Sequence, residues 1–243
     1  MTYYFRELQD QQEMLNWLHL RYTIYNSTRC AGFLKTNDDE IDVDHYDLRS
    51  RHYGLFVEEA DEQKLIGGLR IIQNKPVLSS IRMLKEMGIL DNQQVVKETA
   101  VLPIMSYFED QKSANFGTLI KESPVATEGS RLVLNKDYQS LRLAKFIISN
   151  AIIMHLLLEE DWTAFVSCNP LHARLYHSFG FKDVCSQTTW AKDAPISALY
   201  LQDGFVAPDK REELEDLAAA YETNGYTVYE HTRVQKVAAR RTA

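Results

Sequence analysis

Trp162-Thr-Ala-Phe-Val-Ser-Cys168, followed by Asn169-Pro-Leu-His-Ala-Arg-Leu-Tyr176-His-Ser-Phe-Gly180-Phe181, is the stretch whose reading decides the fold. Trp162 to Cys168 is largely apolar and rich in strand-forming residues, which predicts a buried strand. Asn169 is a good helix N-cap, because its side chain accepts from orphan amides of the first turn. Pro170 suits the first helical position, where its missing N–H costs nothing. The helix should stop at Gly180. Strands at Lys182–Ala191 and Ile196–Gln202 complete a strand–helix–strand–strand unit.

Outward from that unit the pattern stays mixed. Upstream, Ala126–Leu134 reads as an apolar strand carrying Glu128-Gly-Ser-Arg131. It leads through Asn135-Lys136-Asp137 into a long helix, Tyr138–Glu159. The apolar run Phe146–Leu158 inside that helix is broken by Ser149, Asn150 and His155. It is also shorter than the ~20 residues that cross a bilayer, so it reads as a core helix. Nearer the start, Tyr3–Phe5 suggests a short strand. Asp10–Tyr25 suggests a helix, with Met14, Leu18, Tyr22 and Tyr25 at helical spacing. Thr28–Asp47 is an acidic loop. Tyr53–Glu59 and Leu65–Gln73 read as a hairpin around an Asp-Glu-Gln turn. Ser79–Met87 reads as a helix stopped by Gly88, and Asn92–Leu102 as another ahead of Pro103. Asp209–Glu222 and Tyr226–Arg233 give a last helix and strand. This order implies one α/β (α+β) domain over 1–243, with a single mixed sheet covered by helices on both faces. Residues 1–125 and 126–203 form its halves, and 204–243 a helix–strand extension.

At 243 residues with 45% hydrophobic content the chain can bury one sizeable core. A net charge of −7, with no basic run beyond Arg240-Arg241, argues against nucleic-acid binding. Cys30, Cys168 and Cys185 form no CxxC pair and no zinc ligand set, so free thiols and a reducing cytoplasm are expected, with no metal. Cys168 reads as a small buried hydrophobe. The opening residues lack the apolar core of a signal peptide. Asp38, Asp39 and Glu40 read as a solvated loop; a calcium loop fails for want of the glycine and terminal glutamate at the required spacing.

The pattern from Trp162 to Gln202, with Asn169, Ala173-Arg-Leu-Tyr176 and Gly180-Phe181 between strands, resembles the general amine N-acetyltransferase (GNAT) superfamily. Four N-terminal matches narrow it: Arg21-Tyr-Thr-Ile-Tyr25; Glu40 with Asp44-His-Tyr-Asp47; Gly67-Gly-Leu-Arg70; and Glu128-Gly-Ser-Arg131. In that order they resemble acyl-homoserine-lactone (autoinducer) synthases and N-acyl amino acid synthases, the branch that uses acyl carrier protein. Coenzyme A-binding members carry a glycine-rich turn after the fourth strand, where backbone amides cradle the pyrophosphate. Here the stretch Asn135–Lys145 has no glycine. The resemblance therefore favours acyl-phosphopantetheine on a carrier protein over acyl-CoA as co-substrate, with no permanently bound cofactor.

The activity this implies is transfer of a fatty acyl group from a thioester to the amine of an amino acid or similar small acceptor. The alternatives are a homoserine-lactone synthase using S-adenosylmethionine, an acetyl-CoA-dependent N-acetyltransferase, and a catalytically silent acyl-binding module. Acyl transfer needs a base for the amine, a donor for the oxyanion and a proton for the leaving thiolate. Glu128 reads either as that base or as the partner of an arginine. Tyr176 reads as the acid for the thiol or as a core aromatic beside Leu175 and Phe179. By resemblance, Arg21, Asp44, Asp47, Arg70 and Arg131 form a charge cluster that grips the acceptor, pins an N-terminal lid, or both. Donor-side expectations are a backbone amide within Leu132, Val133 and Leu134, the helix cap Asn169, and Lys136, Arg142 and Lys145. These three basic residues either meet phosphate and an acidic carrier or are ordinary solvated charges.

Overall fold

The computed structural model describes residues 1–35, 37–60, 62–89, 101–108, 116–121, 123–158, 160–185, 189–191 and 194–230. The nine strands among them are β1 (Thr2–Glu7), β2 (Ser50–Glu59), β3 (Glu62–Ile72), β4 (Val125–Leu134), β5 (Trp162–Cys168), β6 (Lys182–Asp183), β7 (Thr189–Ala191), β8 (Ala194–Gln202) and β9 (Tyr226–Glu230). They line up as β6-β8-β5-β4-β3-β2-β1-β9, with β7 also beside β8. Among the described residues every pair is antiparallel except β4 with β5.

Alternation along the strands sorts the helices onto two faces. On β2, Tyr53, Leu55 and Val57 point to one face and pack with Leu143, Phe146 and Ile147 of α5 (Leu141–Leu156). Phe56 points to the other, where it packs with Met14, Trp17 and Leu18 of α1 (Gln11–Asn26) and with Met83 and Leu84 of α2 (Leu78–Glu86). The remaining helices are α3 (Pro103–Tyr107), α4 (Phe116–Lys121), α6 (Pro170–His177) and α7 (Pro208–Asn224). α7 adds Leu214 and Ala218 to the core beside α5 and β5.

The Asn169 cap read from sequence is made, its side chain accepting from the Leu171 amide. Two caps not read there open α1 and α5: Asp10 accepts from the Glu13 amide and Ser140 from Leu143. Gly180 has φ +103°, and a Cβ there would lie 1.8 Å from the Phe205 carbonyl oxygen. Some expectations needed correction. The strand read at Lys182–Ala191 is two short pieces, β6 and β7, each pairing with β8. The hairpin turn is tighter than Asp-Glu-Gln, with Glu62 and Gln63 already paired to β2. The long helix starts at Leu141 rather than Tyr138, because Lys136–Tyr138 forms a separate 3-10 turn. The acidic loop holds two 3-10 turns, Ala31–Phe33 and His45–Arg49. Apart from Val101 and Leu102, the helix read at Asn92–Leu102 falls outside the described residues, as do 231–243. Among the described residues no helix is long and apolar enough to cross a membrane.

Candidate active site

The site opens where β4 leaves its neighbours. Against β3, Gly68 pairs with Val133 and Arg70 with Ser130, so Arg131 and Leu132 together face Leu69 alone. This is a β-bulge, and Arg131 takes φ +54° to make it. Gly68 meets the bulge at φ +152°, where a Cβ would lie 2.1 Å from the Tyr53 carbonyl oxygen. On the other side, the parallel register with β5 ends at Gly129–Val166, while β5 continues to Cys168 against Ser197 of β8. The two strands part there. A cavity of about 400 Å³ fills the gap, bordered by Arg131, Leu132, Val133, Ser167, Asn169 and Tyr176 among others.

Glu128 lies on β4 just before the strands part. Its carboxyl is fully buried; Oε2 accepts from the Ile104 amide at 2.8 Å and Oε1 from the Ser167 hydroxyl at 3.1 Å. Burial pushes its pKa up to about 7, against the opposing pull of that amide, that hydroxyl, Arg70 and Arg131. Among the described residues no arginine forms an ion pair with it. The arginines of the site pair with aspartates instead. Glu128 reaches the cavity wall through Ser167, which the sequence reading did not single out.

The charge cluster forms, with one member more than expected. Arg21 pairs with Asp42 at 2.8 Å and with Asp47 at 2.7 Å. Arg70 pairs with Asp44 and Asp47, each at 2.7 Å. Arg131 pairs with Asp42 at 2.7 Å and with Asp44 at 3.4 Å. Asp42, not predicted, thus joins α1 to β4. Burial works to raise Asp42 and Asp47, but Arg21 with Arg131, and Arg21 with Arg70, outweigh it and hold both carboxyls low. Behind Asp47 sits His52, whose Nδ1 accepts from the Trp17 indole at 3.2 Å; burial takes its pKa down to about 4 and keeps it neutral. Asp44 and Asp47 also form a capping box on the turn His45–Arg49, which fixes their spacing.

Tyr176 borders the cavity, with its ring edge-on to Phe181 at 5.4 Å. Burial raises its pKa, so it is a neutral phenol. Its hydroxyl makes no hydrogen bond among the described residues. Leu132, Val133 and Asn169 share the cavity wall. Leu134 does not: it packs into the core beside Phe146 and Ile147. Lys136, Arg142 and Lys145 are exposed at the start of α5 and make no ion pair among the described residues. Two further residues stand on the wall without having been read as site residues. Tyr25 covers Arg131 at 4.9 Å, and Tyr107 stands edge-on to Phe33 at 5.7 Å. Tyr25 carried a signal, four residues beyond Arg21 on the same helix face. Tyr107 and the Ile104 amide carried none, since a tertiary contact places them.

No protein-family model and no curated protein matches this sequence. Solved structures do match. The N-acyl amino acid synthase FeeM from uncultured soil microbes superposes with a TM-score of 0.55 at 17% identity, covering 82% of this chain and 90% of FeeM. The CoA-dependent acyl-homoserine lactone synthase BjaI gives 0.52 at 15% identity, covering 85% and 82%. A second CoA-dependent synthase, MesI, gives 0.51 at 15% identity, covering 88% and 95%. At these identities the likeness is one of fold, and the fold of this chain is that of the GNAT acyltransferases, N-acyl amino acid synthases and acyl-homoserine lactone synthases among them.

Proposed function

We propose that this chain is an N-acyltransferase that moves a fatty acyl group from a pantetheine thioester to the amine of an amino acid, giving an N-acyl amino acid and a free thiol. The carrying observation is Glu128: a buried carboxyl with a pKa near 7, linked by one hydroxyl to a cavity between parting strands. A base of that strength is matched to taking a proton from an amine near neutral pH. The amine nitrogen attacks the thioester carbon and passes its proton to the Ser167–Glu128 pair. The oxyanion is met by a backbone amide at the bulge around Leu132 and Val133. Collapse breaks the C–S bond, and the thiolate takes a proton from the Tyr176 phenol, which solvent restores.

The donor's phosphate end supports a carrier-bound pantetheine. Several amides after β4 are already taken: Asn135 donates to Ile66, Asp137 to the Asn135 side chain, Tyr138 to the Asn135 carbonyl and Leu143 to Ser140. Those groups are not free to cradle a pyrophosphate. Lys136, Arg142 and Lys145, exposed on that turn and at the start of α5, suit a single phosphate and an acidic carrier surface. BjaI and MesI are described as CoA-dependent, so acyl-CoA is the competing donor.

The test offers acyl-carrier protein or acyl-CoA with a panel of amino acids, or with S-adenosylmethionine, and identifies products by mass spectrometry. N-acyl amino acids are expected. An acyl lactone from S-adenosylmethionine would replace this reading with that of an autoinducer synthase, and release of no thiol from any pair would end the enzymatic one.

A further inference from the structure

The three arginines of the charge cluster are already committed. Arg21, Arg70 and Arg131 face Asp42, Asp44 and Asp47, three charges against three, and Tyr25 covers one face of Arg131. A substrate carboxylate entering that cluster would have to displace an aspartate and leave a charge buried without its partner, which is strongly unfavourable. Arg70 is buried and does not border the cavity.

Arg29 is different. It lies on the turn after α1, exposed, on the wall of the same cavity as Arg131, Ser167 and Tyr176. Among the described residues its side chain makes no hydrogen bond and no ion pair. A guanidinium fork without a partner, at the edge of a largely apolar cavity, is matched in charge and geometry to a carboxylate. No Asp or Glu borders the cavity among the described residues, so its wall has no counter-ion for a cationic side chain. Ile24, Tyr25, Phe33 and Tyr107 on the same wall offer apolar and aromatic surface instead.

We propose that Arg29 is the receptor for the acceptor's α-carboxylate, which selects α-amino acids without a cationic side chain over simple amines. The assignment rests on the acyltransferase reading for its role in turnover, though not for binding. It also separates two jobs that the motif resemblance assigns to one cluster. The buried arginines hold the wall in place, and the exposed one reads the substrate.

The experiment compares an amino acid with its own carboxamide as acceptors, in the wild type and in Arg29→Gln, at saturating acyl donor. The wild type should prefer the acid, and R29Q should lower the acid-to-amide ratio of kcat/KM by about ten- to a hundredfold, the worth of a charge-assisted hydrogen bond. An unchanged ratio overturns the proposal, and so does an effect confined to the donor's KM, which would make Arg29 a phosphate contact. Calorimetry with an N-acyl amino acid and its amide provides a readout without turnover. R29Q should weaken the acid at least about tenfold more than the amide. If the wild type binds both alike, the proposal fails. If it makes no N-acyl amino acid yet shows the Arg29-dependent preference, the acyltransferase reading fails and the carboxylate site stands.

Discussion

The Ser167 hydroxyl donates to Glu128 Oε1 at 3.1 Å and stands between that carboxyl and the cavity. This bond favours the charged form of Glu128 and holds its pKa below the value burial alone would set. Ser167→Ala should therefore raise that pKa further and move the acidic limb of the kcat/KM–pH profile upward. A loss of about tenfold at pH 7 is expected, with Ser167→Thr retaining the hydroxyl and most of the rate. An unmoved limb in the alanine variant would remove Ser167 from the proton route.

Glu128→Gln should lower kcat by about a hundredfold or more while leaving the circular dichroism spectrum intact. Its stability effect has a definite sign. The folded pKa is raised from 4.5 to about 7, so the native state keeps its proton longer than the unfolded chain. The stability of this group is full below pH 4.5 and is lost as pH rises through 7, by roughly 3 kcal/mol. Glutamine does not titrate, so the Tm of E128Q relative to wild type should climb between pH 5 and pH 8. A constant difference would show that Glu128 does not titrate in that window.

Asp47 carries the opposite sign. Its carboxyl is held far below 3.8 by Arg21 and Arg70 in spite of burial. The stabilisation is present above about pH 4 and is lost as pH falls through the folded value. Asp47→Asn leaves two buried guanidinium groups short of a partner and should cost about 3–5 kcal/mol in urea unfolding at pH 7. The difference should narrow at pH 3.

Gly68→Ala tests the bulge. The added Cβ meets the Tyr53 carbonyl, and φ +152° is hostile to alanine. A loss of about 3 kcal/mol or more is expected, measured by thermal unfolding. An alanine variant as stable as wild type would show that β2 and β3 are not so closely apposed at this point.

Charge reversal at Arg142 and Lys145 should raise the KM for an acyl-carrier donor about tenfold, the effect of losing two exposed attractive contacts at a docking rim. A short acyl-pantetheine should respond little. Equal shifts for both donors would place these residues outside any carrier contact.

Local signals were the legible ones. Asn169, Pro170 and Gly180 announced α6 because capping and a left-handed stop act within a few residues. The apolar, strand-forming runs of β4 and β5 announced the centre of the sheet because such side chains have to be buried. Arg21, Asp44, Asp47, Arg70 and Arg131 were read through motif resemblance, and the structure brings them together. Asp42 was missed although it stands two residues before Asp44, since nothing local separates it from the exposed acids Asp38, Asp39 and Glu40. Ser167 was one hydroxyl in an apolar strand. Its role depends on β4 and β5 lying in parallel register, which no single strand encodes. The Ile104 amide is a tertiary partner without a side-chain signature.

Arg131 meets Asp42 across 89 positions of chain, and Arg21 reaches Asp47 across 26. Contacts of such separation carry the entropic cost of ordering the loops between them. The cluster therefore ties the wall of the cavity to the assembled sheet. Until β3 and β4 are aligned with α1, its charges remain in water, and the acceptor side of the cavity does not yet exist. A chain cut between β3 and β4 would carry every strand of the sheet on its two pieces and still lack the wall on which an amine could be held.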